Sequence, residues 1–291
     1  MMVISVINTI KKSKRLALFQ YICAIIITIF TLAPFLWLFI SSISYRKDLM
    51  SVPLQIIPKE VTFQRYQDIF TNPNNDMAYT FRVAISNSLL VVFFVTVIAL
   101  VVGSLASYAF SRLRFRFKNQ LMYLILFTYM LPPVVIVIPL YLFLSNLQLL
   151  DSKTALVLLY LSMAIPFVIW VMQSYFGSVA RSFEDSAAID GCNRIQTLWY
   201  IFLPIARPGI IATGILAFLT AWDEFFYAVI FTSTLNAKTI SVAIAEFSGK
   251  NTIDYGMIAT GGIIAALPPL LITFVFQKYI VQGMTAGGVK E

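Results

Sequence analysis

Two acidic residues stand side by side inside an apolar run: Asp223-Glu224, bracketed by Trp222, Phe225, Phe226 and Tyr227. A charged side chain at the centre of a membrane helix costs about 2.5–3.5 kcal/mol on insertion scales, and less toward the surface. Such a pair has to face a cavity or a protein partner. Carboxylates beside aromatic rings can accept hydrogen bonds from the hydroxyls of a neutral polyhydroxyl solute. They can equally tie one helix to another subunit, or end a helix at the lipid headgroups. Trp222, Asp223, Glu224 and Tyr227 are therefore candidate pathway residues, with a structural role equally open.

A second polar group lies in the loop 177–208. Ser182 with Asp185 three places later reads as a capping box that starts a helix. Glu184 and Asp185 suit the positive end of that helix, and Ala187 and Ala188 favour its continuation. Asp190-Gly191 is a turn signal, because glycine tolerates positive φ. A second amphipathic stretch should then run to Leu203, where Pro204 and Pro208 stop it. A short helix, a glycine turn and a second helix, held between two anchored spans, is a shape suited to docking a partner. It also fits a hairpin that merely joins two spans.

Other chemistry is excluded by residue type. The chain has no histidine, which removes histidine haem ligation, histidine zinc sites and Ser-His-Asp catalysis. Its two cysteines are Cys23, in an apolar run, and Cys192, in the polar loop, so neither a disulfide framework nor a four-cysteine metal site is expected. No phosphate-binding G-x-x-x-x-G-K-[ST] loop occurs, so this chain alone is not a nucleotide-driven machine. No catalytic residue, metal ligand or cofactor is predicted on it.

The elements that must position these residues are membrane helices. Of 291 residues, 59% are hydrophobic and 12% charged, with mean hydropathy +0.85. A soluble domain is nearer half apolar and a quarter charged, so a soluble enzyme, a coiled coil and a disordered chain are all excluded. A spanning helix needs about 20 apolar residues. Six runs qualify: 16–39, 83–110, 119–150, 154–180, 209–231 with Asp223-Glu224 interrupting it, and 255–277. The first is longer than a signal-peptide core and no clear cleavage site follows, so it reads as an uncleaved span. Six spans put both ends on one side. With that side cytoplasmic, the inside segments hold 13 of the 21 Lys and Arg residues, including the clusters at 11–15 and 112–118. This satisfies the positive-inside rule. The net charge of +8 is thus mostly topology, and a nucleic-acid partner is not expected.

The expected fold is an all-α integral membrane protein with six transmembrane helices, both termini cytoplasmic, and a short cytoplasmic helix between the fourth and fifth spans. Its parts are a cytoplasmic tail at 1–15, a first helix at 16–40, an extracellular segment at 41–82, a core of five helices at 83–281 and a cytoplasmic tail at 282–291. The core includes the inside loop 177–208 and the outside loop 232–254. Prolines inside the runs, at Pro132-Pro133, Pro139, Pro166 and Pro268-Pro269, mark either ordinary kinks or a bundle that must bend.

The loop resembles a cytoplasmic motif of the permease subunits of bacterial ATP-binding-cassette importers: Glu-Ala-Ala-x-x-Asp-Gly-Ala, eight residues, then Ile-x-Leu-Pro. Asp190-Gly191 matches the centre, and Ile201-Phe202-Leu203-Pro204 closes the motif after Asn193 to Tyr200. Asp185, Ser186 and Cys192 stand where the pattern has Glu, Ala and Ala. The segments Tyr108-Ala109-Phe110-Ser111-Arg112-Leu113-Arg114-Phe115, Leu131-Pro132-Pro133, Ile138-Pro139-Leu140-Tyr141, Ala221-Trp222-Asp223-Glu224-Phe225 and Asn87-Ser88 are similar to the shorter membrane subunit of maltose-type sugar permeases. That family usually has Asn where Asp223 stands. The likeness runs from about residue 30 to the C-terminus.

The resemblance implies a multi-pass protein of the bacterial plasma membrane, itself not an enzyme. It would pair with a second permease as a heterodimer, with two ATP-binding-cassette subunits that use ATP and Mg, and with an extracellular solute-binding protein. The solute would be a sugar or oligosaccharide. The residues implied for coupling to the ATPase are Glu184, Asp185, Ala187, Ala188, Asp190, Gly191, Leu203 and Pro204. With no nucleotide site on the chain, energy must enter through a contact that biases a two-state element. Three alternatives stand beside this reading. An ion-coupled transporter needs intramembrane ionisable groups beyond Asp223-Glu224. A membrane subunit of the same type could regulate instead of transport. A membrane enzyme would need a ligand cluster or paired carboxylates across two spans.

Overall fold

The computed structural model describes residues 2–72, 75–248 and 253–286, with side chains from residue 16 to residue 279. The side chains of Lys11, Lys12, Lys14 and Arg15, and all of Lys250 and Lys290, lie outside that description. Among the described residues the regular structure is helical; Ser44 with Val61 and Ser248 with Ile253 form isolated antiparallel bridges. Helix α1 is Met2–Ile43, followed by α2 (Arg46–Leu49), α3 (Gln64–Thr71), α4 (Asp76–Arg112), α5 (Lys118–Met130), α6 (Pro133–Asn146) and α7 (Lys153–Ser178). Next come α8 (Arg181–Ile189), α9 (Arg194–Thr197), a π-helical turn over Leu198–Phe202 and α10 (Leu203–Ile205). The chain continues through α11 (Arg207–Trp222), α12 (Phe226–Phe231), α13 (Ile240–Glu246) and α14 (Tyr255–Ala286).

Four of the described helices, over Leu16–Ile43, Asp76–Arg112, Lys153–Ser178 and Tyr255–Tyr279, are long and apolar enough to cross a membrane, and two bent helix pairs raise the number to six if each is one span. The expected run 119–150 is one of these pairs: α5 and α6 meet at 93°. The break falls at Leu131-Pro132, and Pro133 opens α6, where its missing N–H would have had no intrahelical partner. Pro139, Pro166 and Pro268-Pro269 lie inside helices that continue through them. Pro204 and Pro208 were expected to stop a helix, yet they start α10 and α11 in their first turns. The chain bends by 82° between 194–205 and 207–222. Arg82, expected just outside the second apolar run, is itself helical. It lies within α4, where its guanidinium donates to the carbonyls of Ile69 at 2.6 Å and Asn72 at 3.3 Å.

Contacts divide the chain into two units. One runs to Gln67 and resumes over Phe247–Ile263; the other runs from Asp68 to Glu246 and resumes at Ile264. In the first, Arg65 donates to the carbonyls of Ser42 at 3.1 Å and Ser44 at 2.8 Å, and lies 4.0 Å from Asp254. Tyr66 donates to Ser42 Oγ at 2.7 Å. These bonds close the segment after α1 back onto the end of α1.

The second unit is built on α4 and α7. Lipid is as apolar as a leucine side chain, so helices pair in a membrane through close approach and hydrogen bonds, not through burial alone. Gly103 lets the backbone of α4 come against Val168, where a Cβ would collide with the valine side chain. Ser107 Oγ donates to the Gly103 carbonyl at 2.6 Å and to the Ile169 carbonyl of α7 at 3.1 Å. Lys153, at the start of α7, donates to Asn87 Oδ1 at 2.9 Å, and Arg112, at the end of α4, binds carbonyls at the end of α7. The two helices are therefore parallel, with α5 and α6 as the return. Helix α11 runs the opposite way: Gly209 lies on the ring of Tyr175, and Thr213 lies 3.5 Å from Met172 Sδ.

Candidate functional site

The first candidate site is the loop after α7. Helix α8 starts at Arg181 behind Ala180, with no side-chain cap. The capping box expected at Ser182 and Asp185 does not form, because the extended Val179-Ala180 link begins the helix two residues early and places Ser182 inside it. A reciprocal box forms at Asn193 and Gln196 instead. Gln196 N donates to Asn193 Oδ1 at 2.9 Å, and Asn193 N to Gln196 Oε1 at 2.8 Å. Between the two, Gly191 adopts φ +78°, as its sequence position requires. Cys192 N donates to the Ala187 carbonyl at 2.9 Å and Gly191 N to the Ala188 carbonyl at 3.2 Å. This double bond across a left-handed glycine is the usual way to close a helix C-terminus.

Helix α8 has an inner and an outer side. Ala187 is buried at 1% exposure against the π-helical turn, while Asp185, Ala188, Asp190 and Pro204 are exposed. Ile189 is 86% exposed and Phe183 is 50% exposed on the same short helix. Glu184 and Leu203 are half-buried, and Glu184 Oε2 lies 4.0 Å from Arg112 Nη1. Beneath them three rings meet edge to face. The Tyr108 and Phe202 centroids lie 5.1 Å apart, those of Phe176 and Phe202 5.8 Å, and those of Tyr108 and Phe176 6.5 Å. All eight residues named for coupling thus fall on α8, its closing turn, or α10, which follows the π turn that α8 packs on.

The second candidate site is the break between α11 and α12. Helix α11 has 16 residues, about 24 Å, so it ends short of a bilayer core of about 30 Å. Asp223 closes it through its N–H, bonded to the Leu219 carbonyl at 3.0 Å, and its carboxylate is exposed. Glu224 folds onto the start of α12, accepting from Tyr227 N at 2.8 Å and Ala228 N at 3.2 Å. The hydroxyl of Tyr160 on α7 stands beside this carboxylate but outside hydrogen-bonding geometry. Trp222 and Tyr227 are buried at 4% and 1% exposure. Trp222 stacks on Phe218 at 5.7 Å and donates to the Ala265 carbonyl at 3.1 Å. Of the four residues proposed from sequence for a pathway, the structure leaves Asp223 as the one with an exposed side chain.

A polar cluster lies where the N-terminal half of α4 meets the start of α7. Asn87 Nδ2 donates to the carbonyls of Leu235 at 2.9 Å and Lys238 at 3.0 Å, and Ser88 Oγ accepts from Ile240 N at 2.8 Å. Asp151 accepts from Ser233 N at 2.8 Å, Thr234 N at 3.0 Å and the Thr234 hydroxyl at 2.5 Å. Burial pushes the Asp151 carboxyl up, but the Thr234 hydroxyl, the two N–H groups and the Lys238 charge outweigh it, so the group sits below the ordinary carboxylate range.

Sequence reasoning counted Arg112 as one of the inside charges and missed its contacts. It also gave no role to Tyr108, Phe176 or Phe202. The available signal was their position, at the last turns of two spans and inside the loop motif.

Comparison with known proteins places this geometry. A family profile described as "binding-protein-dependent transport system inner membrane component" matches residues 99–286. The sulfoquinovosyl glycerol transport system permease protein SmoH of Agrobacterium fabrum is 31% identical over 93% of this chain and 93% of its own length. The trehalose/maltose transport system permease protein MalG of Thermococcus litoralis is 32% identical over 92% of this chain and 94% of its own. Among solved structures, one of a bacterial ABC transporter involved in the import of the acidic polysaccharide alginate aligns with a TM-score of 0.75 at 22% identity, covering 90% of this chain and 96% of that one. The chain therefore belongs to the binding-protein-dependent transport system inner membrane components, and is a permease subunit of an ATP-binding-cassette importer.

Proposed function

We propose that this chain pairs with a second, different permease subunit to form the pathway for a sugar or oligosaccharide, driven by two separate ATP-binding-cassette subunits that bind ATP and Mg. An extracellular solute-binding protein would deliver the solute. The observation that carries this reading is the form of α8: a nine-residue helix, closed by a left-handed glycine, with its acidic and apolar outer side exposed and its inner side packed against the π-helical turn. Such a projection on a chain with no nucleotide site suits a groove in a motor subunit. Glu184, Asp185, Ala187, Ala188, Asp190, Gly191, Leu203 and Pro204 then shape the projection or touch the ATPase. The sugar class rests on the relatives, whose names specify sulfoquinovosyl glycerol and trehalose/maltose.

The reading places six spans across the membrane, with α5–α6 and α11–α12 each crossing once and both termini cytoplasmic. The tails 1–15 and 282–291 and the loop 177–208 lie inside, and 41–82 and 232–254 lie outside, as the charge distribution supports. At the break, Asp223 carries the pathway role, while Trp222, Glu224 and Tyr227 hold the break in shape. Reconstitution in proteoliposomes with the ATPase, the second permease and the binding protein tests the proposal. Uptake of labelled disaccharide should require ATP inside and the binding protein outside. Uptake by the two permeases alone, driven by an ion gradient, would overturn it.

A further inference from the structure

Helix α7 is not closed by a left-handed glycine; its C-cap is Val179, in extended conformation. After Ser178 the chain is extended at Val179 and Ala180, so the last carbonyls of α7 face no backbone N–H of a following turn. Carbonyls at a helix C-terminus need another donor, and a cation there also meets the negative end of the helix. Arg112, in the last turn of α4, supplies both: its Nη2 donates to the carbonyls of Phe176 and Val179. The side chain is only 6% exposed. The same guanidinium lies 4.8 Å over the ring of Phe202 in the π-helical turn and 4.0 Å from Glu184 in the first turn of α8. One planar group thus touches the end of α7, the start of α8 and the segment leading into α11. Lysine could provide the charge and donate to both carbonyls, but it has neither a planar face to lie on Phe202 nor a second nitrogen to turn toward Glu184.

We infer that Arg112 is the positioning residue that makes the α8 loop move with α4 and α7 as one body, an inference that rests on the proposed docking of α8 on an ATPase. The Val179-Ala180 link is the natural hinge of that loop, and Arg112 spans it, bound to Val179 on the near side and facing Glu184 on the far side. The Tyr108, Phe176 and Phe202 rings keep water from these bonds, which strengthens them. A push on α8 then passes into α4 and α7 without being lost in bending at the hinge. Those helices carry it along the Ser107 to Ile169 contact toward Asn87 and Lys153 at the far end.

The test is the assembled importer in proteoliposomes, with solute imported per ATP hydrolysed as the readout. Loss of one charge-assisted hydrogen bond corresponds to roughly a tenfold change in a docking equilibrium. Arg112→Met should keep basal ATP hydrolysis and lose about tenfold in solute per ATP on that scale, and Arg112→Lys should recover part of it. Spin labels at positions 114 and 186, in a background lacking Cys23 and Cys192, should give a broader distance distribution in Arg112→Met and an intermediate one in Arg112→Lys. Normal stoichiometry with an unchanged distribution in Arg112→Met overturns the inference. If Arg112→Met fails to assemble, Arg112→Lys decides: full stoichiometry and an unbroadened distribution there would show that any cation suffices, and also overturn it. Gly191→Leu serves as the parallel control. If it couples normally, the docking reading itself has failed; if it uncouples while Arg112→Met does not, this inference alone is wrong.

Discussion

Replacing Gly191 by residues of different size separates two reasons for a glycine at that position. At φ +78° an L-residue costs about 1–2 kcal/mol, whatever its size beyond Cβ. No atom lies within 4 Å of a Cβ built there, so no collision inside the chain adds to that cost. Two bonds hold the turn, Cys192 N to Ala187 O at 2.9 Å and Gly191 N to Ala188 O at 3.2 Å, and both use backbone groups that alanine and leucine retain. Gly191→Ala and Gly191→Leu should therefore lose similar, modest stability and reach the membrane in similar amounts. In a groove on the ATPase they differ. The leucine side chain projects from the exposed turn into the partner, and overpacking of this kind costs typically 1–3 kcal/mol, about a tenfold loss of docking or more. Uptake assayed with ATPase co-purification should show Gly191→Ala near wild type and Gly191→Leu strongly reduced in both. Equal, near-normal behaviour of the two variants would refute the reasoning, since the turn would then face solvent.

Topology follows from labelling single cysteines in a background lacking Cys23 and Cys192. Lys59→Cys should react with an impermeant maleimide from outside and Arg116→Cys should not; the reverse pattern would invert the orientation. Asp223→Asn should assemble normally and lower uptake. Glu224→Ala, which removes the acceptor for Tyr227 N and Ala228 N, should lose about 1 kcal/mol of stability, as capping residues do, measurable as a lower thermal midpoint. Asp151, whose carboxyl lies below its unfolded value near 3.9, stabilises the fold above that pH, and the stabilisation fades as pH falls through the lower folded value. Asp151→Asn should therefore melt below wild type at neutral pH, with the gap closing in acid.

Apolar runs located α1, α4, α7 and α14 because uninterrupted hydropathy is a strong signal. Their ends were displaced where polar side chains extend a helix, as Asn75 does before α4 by accepting from Ala78 N at 3.0 Å. Pro132-Pro133 and the pair Pro204 and Pro208 marked where the chain turns but not how sharply, since proline both breaks a helix and begins one, and the run of residue types is the same in either case. In the loop, the Asp190-Gly191 turn was legible because glycine there has a backbone reason. The Ser182 box was misplaced because several polar residues in succession offer the same signature, and the extended Val179-Ala180 link chose among them. Arg112 shows the limit most clearly. A cation at the end of a span satisfies a topological rule, and nothing local distinguishes a free charge from one that holds three elements together.

The claim that α8 is the contact through which an ATPase acts is tested most directly by a photo-crosslinking residue at position 189. Ile189 is 86% exposed on the outer side of α8, so the probe would not disturb the chain's own packing. Illumination of the assembled importer should join this chain to the ATPase subunit, in a yield that changes between nucleotide-free and ATP-bound states. The same probe at position 59 should give no such product. An assembled, transporting complex with no ATPase adduct from position 189 in either state would contradict the account.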